Sequence, residues 1–146
     1  TMCGRIVSIN LAPTRGVPKH PVAEGLLTPD WGLQGDAHGG NWDRQISLFP
    51  LEVMALVPKA VREDFVEGTF SENLTLEGIS PDALTPGTIL SVGKAKVRIL
   101  KIGKKVYESP ESGRPYIVSR EGRFGRVLSE GVVMQDDPVE ILEAGV

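Results

Sequence analysis

Glycine and proline interrupt this chain before any regular element can grow long. There are 17 glycines and 11 prolines in 146 residues, and they fall between nearly all of the apolar runs. Glycine costs about 1 kcal/mol in a helix interior and proline about 3 kcal/mol, so long helices are disfavoured over most of the sequence. Strand-length segments bounded by turn residues remain, the pattern of a β-barrel-like core.

Residues 4–10, "GRIVSIN", read as a mostly buried first strand, and residues 44–49, "RQISLF", as the next, with Ile46 and Leu48 on one face. Between them, Pro13, Pro18, Pro21 and Pro29 mark 11–34 as a long irregular connection. Val53, Leu56, Val57, Ala60, Val61 and Phe65 recur at helical spacing. Pro58 divides that stretch into two short helices, starting the second, which ends at Gly68. Residues 70–79 hold a strand with Leu74 and Leu76 pointing one way. Residues 85–103 hold a Pro-Gly turn, a strand, a Gly-Lys turn and a longer strand. On that longer strand Lys96, Arg98 and Leu100 share one face, and Val97, Ile99 and Lys101 the other. Residues 103–122 read as a second exposed loop, and 122–142 as short segments around a Ser-Glu-Gly and an Asp-Asp-Pro turn. No internal repeat or linker appears, so a single domain over 2–146 is the expectation.

Composition narrows the function classes. Hydrophobic residues make up 40% and charged residues 24%, an ordinary globular balance. No apolar run approaches the roughly 20 residues that span a bilayer, and no basic-then-apolar leader is seen. Cys3 is the sole cysteine, so neither an internal disulfide nor a cysteine-cluster zinc site can form. A cytoplasmic protein with no membrane partner is expected. The net charge of −3 conceals an asymmetry, since ten basic residues from Lys94 to Arg126 face only Glu108, Glu111 and Glu121. A basic segment on an acidic chain suits an anionic ligand; solvated strand faces are the alternative. Aromatic residues are 5%, which disfavours base stacking and hence nucleic acid as a partner.

The densest chemistry lies in "GDAHGGNWDRQIS", residues 35–47. Asp36 and His38 stand two apart, so both side chains face one way on extended backbone. Two ligands do not make a metal site. His20 is the only other imidazole, and no spacing requires Glu72 or Asp43 to complete a set. An anion pocket is the second reading: Gly39-Gly40 lets backbone N–H groups approach closely, and Arg44 offers a two-pronged fork to phosphate. The third is a structural polar network, with Arg44 and Glu72 as a buried pair satisfied by Asn73 and Gln45. Residue chemistry alone leaves the last two open.

Four collinear segments carry a resemblance: "GLQGDAHGGNWDRQISLFPLE" at 32–52, "GTFSENLTLEGI" at 68–79, "LTPGTILSVGKAKVRILKIGK" at 84–104 and "EGRFGRVLSEG" at 121–131. Together they resemble stand-alone MOSC domains, named for the C-terminal domain of molybdenum-cofactor sulfurase. The resemblance implies a mainly β fold, a barrel like that inserted in pyruvate kinase, with short helices and α+β elements at the edge. It also implies the molybdenum cofactor (molybdopterin), a phosphate-bearing pterin with a molybdenum dithiolene, and a role as carrier or accessory domain. Sulfur transfer, reduction chemistry, or a repurposed barrel that binds another anion such as a nucleotide are the alternatives. A molybdoenzyme or a cofactor-biosynthesis protein is the partner class it implies. Gly35, Asp36, His38, Arg44, Gln45, Ser47, Glu72, Asn73 and Thr75 match the family's motifs. Gly39 of the glycine pair, and Lys104 and Arg123 of the basic segment, join them as cofactor-binding candidates. Stand-alone relatives carry a cysteine after the long basic strand; "GKKVYESPESGRPYIVSREGRF" has none. A thiolate is the nucleophile of sulfur transfer, so cysteine-dependent chemistry is in doubt, and Cys3 lies outside the expected position.

Overall fold

The computed structural model describes residues 3–56, 72–103 and 121–145. Eleven strands are present among them: β1 (Cys3–Leu11), β2 (His20–Val22), β3 (Glu24–Thr28), β4 (Gly32–Leu33), β5 (Ile46–Pro50), β6 (Leu74–Glu77), β7 (Ile89–Val92), β8 (Ala95–Ile102), β9 (Arg123–Ser129), β10 (Gly131–Met134) and β11 (Pro138–Glu143). Seven close into a barrel. The order around the wall is β11-β7-β8-β9-β5-β6-β1, and β1 pairs back onto β11. Every pairing around that ring is antiparallel except β5 with β6, which is parallel.

Strand β1 serves three neighbours in turn along its length: β11 at its start, β6 through its middle and β2 at its end. A small second sheet, β10-β3-β4, packs beside the barrel. The interior is aliphatic, with Ile6, Ile9, Leu48, Leu74, Leu76, Leu90, Val97, Ile99 and Val139 in one cluster. Burying each such side chain stabilises by roughly 1.5–3 kcal/mol. All five residues of β5 are buried, because its two faces are both covered.

The mainly β barrel expected from the sequence is therefore present, and four local expectations change. The connection 11–34 is less irregular than its prolines suggest, since it contains β2, β3 and β4. These strands are too short for periodicity to reveal, and they are recruited by pairing, β2 with β1, β3 with β10 and β4 with β3. The first helical segment is a 3-10 turn over Leu51–Leu56; the proposed second helix at Pro58–Gly68 lies outside the described residues. A further short 3-10 turn spans Pro81–Ala83. On β8, Lys101 does not share the face of Val97 and Ile99 but is exposed. A register shift against β9 between Ile99 and Lys101 inserts one extra residue and turns the strand over. Most of the expected loop at 103–122 also lies outside the described residues.

Candidate functional site

The site grows from the loop that links β4 to β5. Gly35 takes φ +88, a left-handed conformation that glycine adopts at no steric cost, and the turn drives the next side chain into the barrel end. Asp36 is 1% exposed. Its Oδ1 accepts hydrogen bonds from the Ala12 N–H at 3.0 Å and the Lys19 Nζ at 2.6 Å. Its Oδ2 accepts from the Asn73 side-chain amide at 3.1 Å. Burial pushes the Asp36 carboxyl up, but the Lys19 hydrogen bond, the Ala12 and Asn73 bonds and the Lys19 charge together hold it below the usual value.

Lys19 is equally enclosed, its side chain 5% exposed. Beyond Asp36 it reaches His38 Nδ1 at 3.3 Å. An ammonium only donates, so that ring nitrogen is the acceptor. Asn73 continues the network: its Oδ1 accepts from the Ser47 N–H at 3.0 Å and the Ser47 hydroxyl at 3.2 Å, and its own N–H donates back to Ser47 Oγ at 2.9 Å. Arg44 lies over the Phe124 ring, 5.2 Å from its centre. Among the described residues its guanidinium has no carboxylate partner.

These groups border one cavity of about 110 Å³, walled by Lys19, His38, Arg44, Ser47 and Asn73 with the rings of Trp42 and Phe124. Trp42 is fixed by its indole N–H to the His38 carbonyl at 2.9 Å. Two cationic side chains, an imidazole and a hydroxyl around a small space are donors of the kind that suit an anion. Among the described residues, no three His, Cys, Asp or Glu side chains cluster to hold a metal.

The family model for the MOSC domain matches residues 34–140. The chain belongs to the MOSC family. That family is associated with molybdenum-cofactor-related proteins. This MOSC domain is also similar to the crystal structure of YiiM from Geobacillus stearothermophilus, with a TM-score of 0.75 and 25% identity over 98% of this chain and 77% of that one. The YuaD protein from Bacillus subtilis matches with a TM-score of 0.72 at 15% identity, covering 96% of each chain, and shares the fold. An uncharacterized protein, YflK of Bacillus subtilis (strain 168), is 23% identical over 143 residues, 89% of this chain. The MOSC domain spans 64% of the length of that curated relative.

Within this MOSC domain the candidate residues divide into groups. His38, Arg44, Ser47 and Asn73 meet at the cavity, while Asp36 stands behind it and grips two of its walls. Gly39 is packed against the Trp31 indole, where an added Cβ would lie 2.2 Å from Nε1. Gln45 is a strut: its amide donates to the Pro29 carbonyl at 2.7 Å and its carbonyl accepts from the Val127 N–H at 2.8 Å. Thr75 is 2% exposed, and among the described residues its hydroxyl is one of the buried polar atoms without a hydrogen-bond partner. Glu72 is 3% exposed and lies against Gly122. Among the described residues the buried ion pair beside the cavity is Lys19–Asp36, and Arg44, which the structural-network reading paired with Glu72, stacks on Phe124.

The basic segment does not converge on the cavity in the described part of the MOSC barrel. Lys96 and Arg98 are exposed on β8, and Arg126 braces the loop at Asn41 and Asp43. Arg123 donates to the carbonyls of Leu84 at 3.1 Å, Pro81 at 2.8 Å and Glu121 at 2.5 Å, and to the Glu121 carboxylate at 3.1 Å. Its guanidinium is thus committed to holding β9 against the Pro81–Ala83 turn. Lys104 lies outside the described residues.

Sequence reasoning missed Lys19, Trp42 and Phe124. Lys19 sits in the proline-rich stretch read as connection, 17 residues from Asp36, and no spacing rule links the two. A usable signal existed: an aspartate destined for burial requires a cation, and Lys19 is one of only two basic residues between Leu11 and Asp36.

Proposed function

We propose that this MOSC domain binds the molybdenum cofactor or a related phosphorylated pterin and holds it through its phosphate, as a carrier or accessory domain. The cationic set at the cavity carries this reading: Lys19, buried and oriented by Asp36, and Arg44, with no carboxylate partner among the described residues. Phosphate is the part of such a cofactor that these donors fit, with a two-pronged guanidinium and an ammonium as charge-assisted donors. The described cavity of about 110 Å³ takes a phosphate-sized group and lies below the roughly 300 Å³ of a site enclosing a whole small molecule. Arg44, Lys19 and Ser47 would hold the phosphate, and the exposed Trp42 ring borders the same cavity. The cofactor would supply molybdenum on its own dithiolene.

Cys3 does not support a sulfur-transfer activity. It is exposed at the first residue of β1, and Asn10, which touches the site through Asn73, is seven positions further along the strand. At 3.3 Å per residue that separation is about 23 Å. The deciding experiment is mass spectrometry with elemental analysis of protein purified without oxygen. A co-purifying pterin with stoichiometric molybdenum supports the reading. Protein that carries no pterin or molybdenum but retains a nucleotide would replace it with a repurposed barrel.

A further inference from the structure

Asp36 poses a problem of sign. It is a carboxylate one residue's thickness behind a cavity that is proposed to hold an anion, and simple Coulomb repulsion says it should weaken that binding. The geometry points the other way. The Lys19 side chain is 5% exposed, and a buried ammonium without a partner either sheds its proton or leaves for water. Asp36 Oδ1, itself fixed by the Ala12 N–H, is 2.6 Å from Nζ, and His38 Nδ1 is 3.3 Å away. Those two contacts use two of the three ammonium hydrogens, and the side chain lines the cavity.

We infer that Asp36 is a positioning residue for anion capture: it acts through Lys19, and removing its negative charge weakens anion binding. The inference rests on the anion-site reading and deepens it by naming what keeps the second cation in place. Its ligand class is a phosphomonoester or inorganic phosphate. Sulfate shares the geometry, and comparing the two anions separates shape from charge state.

The test is phosphate titration by calorimetry on the full chain, comparing wild type with Asp36→Asn, Lys19→Met and the double variant. Wild type that binds no phosphate removes the underlying reading. Wild type that binds, with D36N weaker by about tenfold, the worth of one charge-assisted hydrogen bond, supports the inference. D36N that binds as tightly or more tightly overturns it and leaves the anion site standing. In the Lys19→Met background, D36N should cause no further loss, and an additive loss would show that Asp36 does not act through Lys19. The double variant removes both charges together and avoids an orphaned one. Should D36N not fold, the Lys19 ammonium signal in nitrogen-15 NMR of wild type decides. A shift on phosphate addition supports the inference; no shift at saturation sinks it.

Discussion

Lys19 and Asp36 form a buried ion pair at 2.6 Å between two loops that are connected by no strand pairing of their own. Breaking such a pair leaves a desolvated charge and costs about 3–5 kcal/mol. Lys19→Met should therefore lower the unfolding free energy by that order. Urea denaturation checks it, and a loss under about 1 kcal/mol would place the pair among surface-type bridges.

The same pair gives an acid dependence with a defined sign. The folded protein holds the Asp36 carboxyl below its ordinary value, so the unfolded chain binds that proton more readily. The contribution is complete above the unfolded pKa of about 3.9 and is lost as pH falls through the lower folded value. The stability gap between wild type and D36N should be constant from about pH 5 to 7 and shrink below about pH 4. Chemical denaturation at stepped pH values measures it, and a gap that widens in acid would contradict the assignment.

Arg44 stacks on Phe124 and is half-buried. A cation–π contact of this kind is worth about 0.5–1 kcal/mol. Arg44→Ala should leave the melting temperature close to that of wild type while reducing phosphate affinity by about tenfold. Unchanged retention counts against the pocket; a collapse of folding would return Arg44 to the structural network.

Gly39 is tested through its neighbour. A Cβ there would fall 2.2–2.5 Å from Trp31 Nε1, Cε2 and Cδ1, and the indole is pinned by its N–H to the Asp36 carbonyl at 3.0 Å. Gly39→Ala should cost about 1–3 kcal/mol by overpacking and shift the tryptophan emission. An unaltered spectrum and stability would mean that the ring moves aside freely.

Arg123 should separate stability from binding. Arg123→Met loses the bonds to the Leu84, Pro81 and Glu121 carbonyls, and leaving buried acceptors unmet costs about 1–3 kcal/mol each. Thermal denaturation should show the loss, while the folded fraction binds phosphate as wild type does. Weakened binding at full folding would move Arg123 into the site.

The barrel was legible because strand alternation and Gly/Pro punctuation are local signals. Leu74 and Leu76 face the core as their spacing predicts, and the Gly93-Lys94 turn falls between β7 and β8. β2 to β4 were not legible, since two to five residues leave periodicity nothing to act on. At the site, the loop at 35–47 announced polar chemistry, but its partners are set by tertiary closure. Lys19 reaches Asp36, and Asn73 reaches Ser47 across 26 positions; neither distance has a sequence signature. Arg123 misled for a related reason: a guanidinium that ties together three carbonyls looks in sequence like one awaiting a phosphate.

The parallel pairing of β5 with β6 sets an order of events. Two strands running the same way start at the same rim, which is why Ser47 and Asn73 can meet there. They cannot meet until the chain has travelled from the end of one strand back to the beginning of the other, a non-local step that folds slowly. The cavity wall built on that contact exists only once both strands are in place. Whatever it captures binds only the finished fold, and stabilises that fold in proportion to the logarithm of its concentration.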